Sequence, residues 1–385
     1  MDMIKRCWAE VSLDALLGNL NRIKQLTSSD ILCVVKSNAY GHGDEAIVNT
    51  LQDAGVNYFA VASMNEAVHL RKSGCTKEIL LLGGYLSDCF SAALENDITL
   101  AVYDVDFARE LSDFALSYGK KAKVHIKLNT GMTRIGFDCV DTCTDDILDE
   151  IGQVVKLRGL EVLGAFTHFS VSDEEFGGEY TIAQLDRVLD LKDRLARAGI
   201  VIPLWHTSNS GAIVNYRSSH LDLVRAGILL YGLYNGFGAV DGFMPVLSLK
   251  SVVTQIREIK KGTGISYGLT FVAERNMRVA TVSIGYADGY PRSMSNVGKM
   301  LVNGKPASVV GRVCMDQTMI DVTDVCCDVG DIVTVIGTDG ENNVSASDIA
   351  VADGTINYEI VCRISSRVPR LYIKDGMIEK IKEYM

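Results

Sequence analysis

Between Cys33 and Ala226 the chain repeats one pattern: a short apolar run, then a longer stretch with apolar side chains at helical spacing. The runs are Cys33–Lys36, Tyr58–Ala62, Ile79–Leu82, Ile98–Val102, Val124–Leu128, Val162–Thr167, Ile202–His206 and Leu223–Ala226. Continuous apolar runs of this length suit strands covered on both faces, as in parallel sheets. Asp44–Gly55, Asn65–Ser73, Asp106–Tyr118, Asp145–Val155 and Thr181–Ala198 are amphipathic and predict helices. Eight strands alternating with helices predict an α/β fold of the (β/α)8 TIM-type barrel kind, with a doubly wound sheet as the competing count. Ahead of the barrel, Trp8–Leu13 alternates like a short strand and Asp14–Leu26 has helical spacing.

The period changes near Tyr234. From Met244 onward, short strands are expected at Val252–Ile256, Val279–Ile284, Met300–Val302, Ser308–Val310, Met319–Val322 and Ile332–Ile336, separated by Gly, Asn and Asp turns. Val302-Asn-Gly-Lys305 predicts a hairpin turn. A helix is expected from Ser345 towards Gly354. The division predicted is a barrel over residues 1–240 and a smaller, mostly-β domain over 241–385, with the first strand free to join the second domain.

Composition narrows the partners more than the fold. A net charge of −10 is spread along 385 residues rather than gathered in blocks, which argues against nucleic acid. The N-terminal stretch has no apolar core of signal-peptide length, and no window approaches ~18 uncharged apolar residues, so no membrane association is expected. The ten cysteines show no CxxC or Cys/His spacing, and several lie in apolar runs. They read as reduced thiols of a cytoplasmic protein, and no metal site is expected.

Candidate chemistry gathers where the barrel strands end. Lys36 closes the first run and precedes the polar turn Ser37–Gly43. A lysine amine ordinarily titrates near ~10.4; among apolar neighbours it loses its proton more readily and can form a Schiff base. Taken on position alone, a lysine snorkelling from the strand end to solvent is the favoured reading. Val124, Ile126 and Leu128 alternate with His125, Lys127 and Asn129, which turns Lys127 into the barrel, where a charge needs a partner or a modification. Arg134 follows in TGMTRIG, His168 in GAFTHFS, His206, Asn209 and Ser210 in WHTSNSG, and Arg225 in LVRAGI. Each alone would suit a satisfied strand-end polar group, but their gathering at one end points to a site. Ser210-Gly211 and Ala226-Gly227-Ile228 follow the last two strands, the usual phosphate position of such barrels. A hydroxyl and bare backbone N–H groups there, joined to a strand-end lysine, suggest pyridoxal phosphate.

The segment VVKSNAYGHG resembles the lysine motif of the alanine racemases, a pyridoxal-phosphate family. KLNTGMTRIGF, THFSVSDE, HTSNS, VRAGILLYG, GISYGLTF, SIGYADGYPR, GRVCMDQTMIDV and INYEIVCRISSRVPR match in order and cover nearly the whole chain. The resemblance implies a (β/α)8 barrel with a β domain, pyridoxal 5'-phosphate as cofactor, and a homodimer whose active sites are shared across the interface. Lys36 would hold the cofactor as a Schiff base. Tyr40, Ser210, Gly227, Ile228 and Tyr358 would bind its phosphate, with Asn209 in the same cofactor set. Arg225 would face the pyridine nitrogen and His168 would lie beside the ring. Arg134 would reach the ring hydroxyl and the substrate carboxylate, Met315 would give that carboxylate a backbone N–H, and Tyr286 would line the entrance. Lys127 occupies a position carbamylated in some members.

Racemisation needs a proton removed from one face of a carbon and returned to the other, so it needs two bases. The family reading makes these Lys36 and, from the neighbouring subunit, Tyr267 in the tight Ser266-Tyr267-Gly268 loop. A phenol near pKa ~10 must be tuned downward for this, with Arg225 acting through His168. One departure is Thr133, where family members often have glycine; it could change the shape of the loop carrying Arg134. The activity implied is interconversion of L- and D-alanine, supplying D-alanine for cell-wall precursors. A serine or broad small-amino-acid racemase, a related decarboxylase and a non-catalytic pyridoxal-phosphate carrier are the alternatives. Tyr358 bounding the side-chain pocket favours a methyl group, Arg225 disfavours the decarboxylase, and Tyr267 with the β domain disfavours the carrier.

Overall fold

A computed structural model describes residues 6–140, 145–234, 236–238 and 241–383. Eight parallel strands build the barrel: β2 (Asp30–Val34), β3 (Tyr58–Val61), β4 (Glu78–Leu81), β5 (Thr99–Val102), β6 (Ala122–Asn129), β7 (Leu160–Phe166), β8 (Leu204–His206) and β9 (Leu223–Ala226). They pair in the order β9-β2-β3-β4-β5-β6-β7-β8. The ring is drawn together between β8 and β9 by the Asp222 N–H donating to the Trp205 carbonyl at 2.9 Å and the Arg225 N–H to the Ser208 carbonyl at 3.0 Å. This near-closed barrel is the expected fold class, and the doubly wound sheet is set aside.

The connecting helices are α2 (Asp44–Asp53), α3 (Met64–Lys72), α4 (Phe90–Glu95), α5 (Val105–Ser117), α6 (Asp145–Val155), α7 (Gly178–Arg197) and α8 (Ser210–Asn215). Their starts follow local chemistry. Ser63 and Glu66 form a capping box on α3, and Asp104 accepts the Phe107 N–H to cap α5. Each helix lays its apolar stripe on the strands: α5 buries Ala108, Leu111 and Ala115, and α7 buries Leu185, Val188, Leu191 and Leu195. None of the described helices is long and apolar enough to cross a membrane.

The first strand, β1 (Cys7–Ser12), lies outside the barrel, and Ser12 caps the helix α1 (Leu13–Leu26) that follows it. It pairs antiparallel with β10 (Leu247–Ile259) and parallel with β16 (Arg370–Lys374), so β1 belongs to the second sheet. That sheet also contains β11 (Met277–Val282), β12 (Lys299–Val302), β13 (Lys305–Val309), β14 (Thr318–Asp321), β15 (Ile332–Asp339) and the edge strand β17 (Met377–Lys382). It curls on itself because β15 pairs with both β12 and β10. Two short helices, α9 (Ala346–Asp353) and α10 (Asn357–Cys362), bring the chain back against the barrel mouth. One hydrophobic core runs through both parts, from Leu32 and Phe59 in the barrel to Val282 and Val335 in the sheet.

Candidate active site

Lys36 stands just past the end of β2, and the turn after it is left-handed. Ser37, Asn38 and Ala39 have φ/ψ near 55/49, 54/48 and 52/52°, Tyr40 has φ 52°, and Gly41 has φ 81°. L residues avoid this region because Cβ crowds the carbonyl. The turn still closes its own hydrogen bonds, with Gly41 N–H donating to Ser37 O at 2.9 Å and Gly43 N–H to Asn38 O at 2.9 Å. Gly41 is required twice over: its φ is positive, and a Cβ would stand 2.1 Å from the Val361 carbonyl oxygen of α10. The Arg370 guanidinium, fully buried, donates to Gly41 O at 3.0 and 3.2 Å and to the Ile364, Ser365 and Val368 carbonyls. It thus fastens the lysine turn to the end of α10, which carries Tyr358.

Lys36, Tyr40, Lys127, Arg134, His168 and Tyr358 line one cavity of about 480 Å³, a normal size for a small-molecule site. Asn209, Ser210, Arg225, Gly227 and Ile228 line the same cavity. Burial, and then Arg134, holds the Lys36 amine below its ordinary value, against weaker support from Glu66 and Cys362. His168 comes two residues after β7 ends at Phe166, rather than closing the strand. Ser210 opens α8, whose cap is Asn209: its Oδ1 accepts the Ala212 N–H at 3.0 Å. Ser210 Oγ accepts the Gly227 and Leu229 N–H groups at 3.1 and 3.3 Å, drawing the last two strand-end loops into one polar corner. A Cβ on Gly227 would lie 3.0 Å from the Tyr40 hydroxyl.

From the wall of this cavity, at His168 and Arg225, a polar chain runs inward to the buried His206 and His125. Arg225 donates to His206 Nδ1 at 3.1 Å and to His168 Nδ1 at 3.2 Å, and His206 Nε2 lies 2.9 Å from His125 Nδ1. A guanidinium can only donate, so both Nδ1 atoms facing it are acceptors. His206 therefore carries its proton on Nε2 and donates it to His125. Burial pushes His125 down to about 4, and burial with the Arg225 charge holds His168 and His206 well below the ordinary histidine range. All three are neutral at pH 7. The remaining donors of Arg225 go to the Thr167, His206 and Thr207 carbonyls, except Nε–H, which has no partner among the described residues. That N–H belongs to a side chain only 3% exposed that lines the cavity.

Lys127 is as deeply placed. Its Nζ donates to Leu128 O at 2.6 Å and sits 5.4 Å from the centre of the Phe166 ring, with no carboxylate in contact among the described residues. Burial, then the Arg225 and Arg134 charges, pushes its amine down to about 7. Thr133, the departure from glycine, has φ 53°, the left-handed region that glycine adopts freely. Asn129 Oδ1 holds the strained loop by accepting the Thr133 and Gly131 N–H groups at 2.8 and 3.2 Å. Arg134 therefore still reaches the cavity.

Three expected site residues lie elsewhere on this chain. Tyr267 and Met315 line a separate, open depression and are 69% and 53% exposed. Tyr286, 42% exposed, begins a turn whose N–H groups tie it to the Met315 loop: Tyr286 N–H to Cys314 O and Ala287 N–H to Met315 O, each at 3.0 Å.

Residues 11–235 match the family model described as alanine racemase, N-terminal domain, and residues 246–372 match alanine racemase, C-terminal domain. The alanine racemase of Clostridium perfringens (strain SM101 / Type A) is 42% identical over 387 aligned positions, covering 99% of each chain. The chain belongs to the alanine racemase family. Among solved family structures, the alanine racemase of Clostridium difficile 630 superposes with a TM-score of 0.95 at 39% identity, covering 100% of both chains. The alanine racemase of Bacillus anthracis with bound L-Ala-P gives 0.90 at 35% identity, covering 100% of this chain and 99% of that one.

Within this family frame, some residues at the site carry no sequence signal of their own. Phe166 is a strand apolar residue in sequence, yet its ring stacks on His206 at 4.8 Å and faces the Lys127 and Arg225 cations. Gln184 is one polar residue on an amphipathic helix; buried, it donates to Thr130 Oγ1 and His168 O and accepts the Ser170 N–H, joining the Arg134 and His168 loops. Only its place at the barrel-facing spacing of α7 could have marked it.

Proposed function

We propose that the protein interconverts L-alanine and D-alanine, using pyridoxal 5'-phosphate held at Lys36. The observation that carries this reading is the cavity itself. Lys36, Lys127, Arg134 and Arg225 line it against a single lining carboxylate, Asp173, so the space suits a phosphorylated molecule. The unpartnered Nε–H of Arg225 suits a ring nitrogen that accepts a hydrogen bond. Ser210, Gly227 and Ile228, with the Tyr40 hydroxyl close by, would hold the phosphate at the opposite end, and Asn209 would hold that corner's shape.

When bound, the pyridoxal ring draws electrons from the substrate Cα and makes its proton acidic. Lys36 would tether the cofactor and move the proton on one face. Tyr267, brought by a neighbouring copy of the chain, would move it on the other. Its exposure, and its place outside the lining of this chain's own Lys36 cavity, support a homodimer with shared sites. His168, neutral and with its proton on Nε2, would stand between Arg225 and that tyrosine. Arg134 and the Met315 N–H would take the substrate carboxylate, and Tyr286 would flank the way in. Tyr358 would leave room for a methyl side chain. An amine at about 7 is partly neutral at physiological pH and could take up carbon dioxide, so Lys127 is a fitting place for a carbamate. A high-resolution map with a plain amine there would remove that detail.

The role we assign is D-alanine supply for cell-wall precursors, in the cytoplasm. Purified protein given L-alanine should lose optical rotation, form D-alanine and show a lysine-bound cofactor band. No D-alanine from a cofactor-loaded preparation would reject the reading, and faster turnover of L-serine would redirect it.

A further inference from the structure

The turn after Lys36 holds four consecutive non-glycine residues, Ser37 to Tyr40, at φ 52 to 55°. Each residue in that region is strained relative to its right-handed alternative, because Cβ crowds the carbonyl. Something beyond the turn must keep it there. Its far end is held by His42, whose Nδ1–H points to the Ala39 and Tyr40 carbonyls, and by Arg370 on Gly41 O. Its near end, next to the lysine, is held by Glu66. Glu66 Oε1 accepts the Ser37 backbone N–H at 2.6 Å, a short, charge-assisted bond. Oε2 accepts the Ala62 and Ser63 N–H groups at 2.9 and 3.1 Å, where β3 passes into α3. An ordinary capping box asks its glutamate only to reach back to the N-cap N–H. Here the second oxygen leaves the helix and bonds a residue 29 positions upstream. Among the described residues, no other group bonds the Ser37 N–H.

We propose that Glu66 is a positioning residue for Lys36: one carboxylate joins the start of the left-handed turn to the end of β3 and so sets where the lysine amine stands in the cavity. This rests on Lys36 being the cofactor lysine. The same carboxylate is one of four titratable or charged groups around that amine. Arg134 from the loop after β6 opposes the charged form, and Glu66 from α3 and Cys362 from α10 support it. His168, after β7, feels the lysine charge in turn.

The test compares loaded wild type with Glu66→Gln, Glu66→Asp and Ser63→Ala. The carboxamide has one acceptor oxygen, so it can serve Ser37 or the α3 turn but not both. Glu66→Gln should lower kcat about tenfold, as expected for a misplaced reacting group, with KM for L-alanine moving less than about twofold. With the anion gone, the pH at which the substrate-free cofactor band changes should move downward. Glu66→Asp, which keeps the charge, should hold that pH nearer wild type. Ser63→Ala removes the helix cap but not the bond to Ser37; it should lower thermal stability and leave kcat and the band alone. Wild-type kcat with an unmoved band in Glu66→Gln overturns the proposal, as does a Ser63→Ala variant that reproduces the Glu66→Gln losses. A wild type that never shows a lysine-bound band rejects the Lys36 reading, and this role falls with it.

Discussion

The Lys36 region and the Tyr267 region are built in opposite ways. Lys36 follows a buried strand, and its turn is pinned by His42 from within and by Glu66 and Arg370 from two distant parts of the chain. Tyr267 projects from a short loop whose Ser266, at φ 63°, is held by its hydroxyl donating to Arg312 O at 2.6 Å. One chain completes the surroundings of the lysine and leaves the tyrosine outside. Positive-φ backbone occurs in both loops, but the lysine turn carries it through four consecutive residues, Ser37 to Tyr40, and is braced on both sides. On the shared-site reading, the tyrosine is positioned by docking, so its own chain need only present it.

The largest effect expected is on the enclosed side. Lys36→Ala should abolish both the lysine-bound absorbance and racemisation, because on the proposed reading one amine is tether and base. A variant retaining both would break the assignment. Next comes a direct test of the contrast. Lys36→Ala and Tyr267→Ala should each be nearly inactive alone. Subunit exchange makes about half the dimers mixed, and each mixed dimer has one intact site, so about a quarter of wild-type activity should return. If both bases came from one chain, exchange confirmed with differently tagged subunits would restore nothing.

Arg225 belongs to the enclosed side, and its proposed role is in the chemistry rather than in tethering. Arg225→Glu removes the donor we propose for the ring nitrogen and strips His168 and His206 of theirs. We expect racemisation slower on the order of 10²-fold, the scale of losing one preorganised donor, with more transamination. Unchanged rate and partition would remove Arg225 from the ring.

Much of the enclosed side could be read from the chain in advance, and the reason is topological. A barrel gathers every strand end at one mouth, so Lys36, Lys127, Arg225 and Ser210 needed only correct strands to be brought together. The apolar runs supplied those strands. The left-handed turn was hidden because of Ser37, Asn38, Ala39 and Tyr40 only asparagine commonly adopts that backbone, and the groups that impose it lie far away at Glu66 and Arg370. Strand β17, MIEKIK, was hidden because it is an edge strand with most side chains exposed and no apolar alternation. The pairing of His125 with His206 spans 81 residues and has no local signature. Tyr267 was legible by resemblance alone; in composition and spacing it is an ordinary surface aromatic.

The smallest effect expected belongs to the exposed side, at the buried carboxylate that braces the Tyr286 turn. Asp288 accepts the Gly285 N–H at 2.9 Å, two bonds from Arg6 at 2.6 and 2.9 Å, and one from Arg367 at 2.7 Å; Arg367 also reaches Asp316 beside Met315 at 2.7 Å. Burial alone would raise the Asp288 pKa, but the two arginines and the Gly285 N–H outweigh it, and the group titrates below its ordinary value. A carboxylate lowered on folding stabilises fully above its unfolded pKa of ~3.9 and loses that contribution as pH falls through the lower folded value. Asp288→Asn should therefore cost roughly 1–2 kcal/mol at pH 7, limited because both arginines are partly exposed and screened. Urea unfolding of the two proteins should show the gap constant from pH 7 to about 5 and shrinking below about 4. In activity, the loosened turn should raise KM for L-alanine about threefold and leave cofactor affinity alone, the mark of lost ground-state binding. A fall in cofactor affinity as large as the rise in KM would show that the exposed and enclosed sides are not held separately.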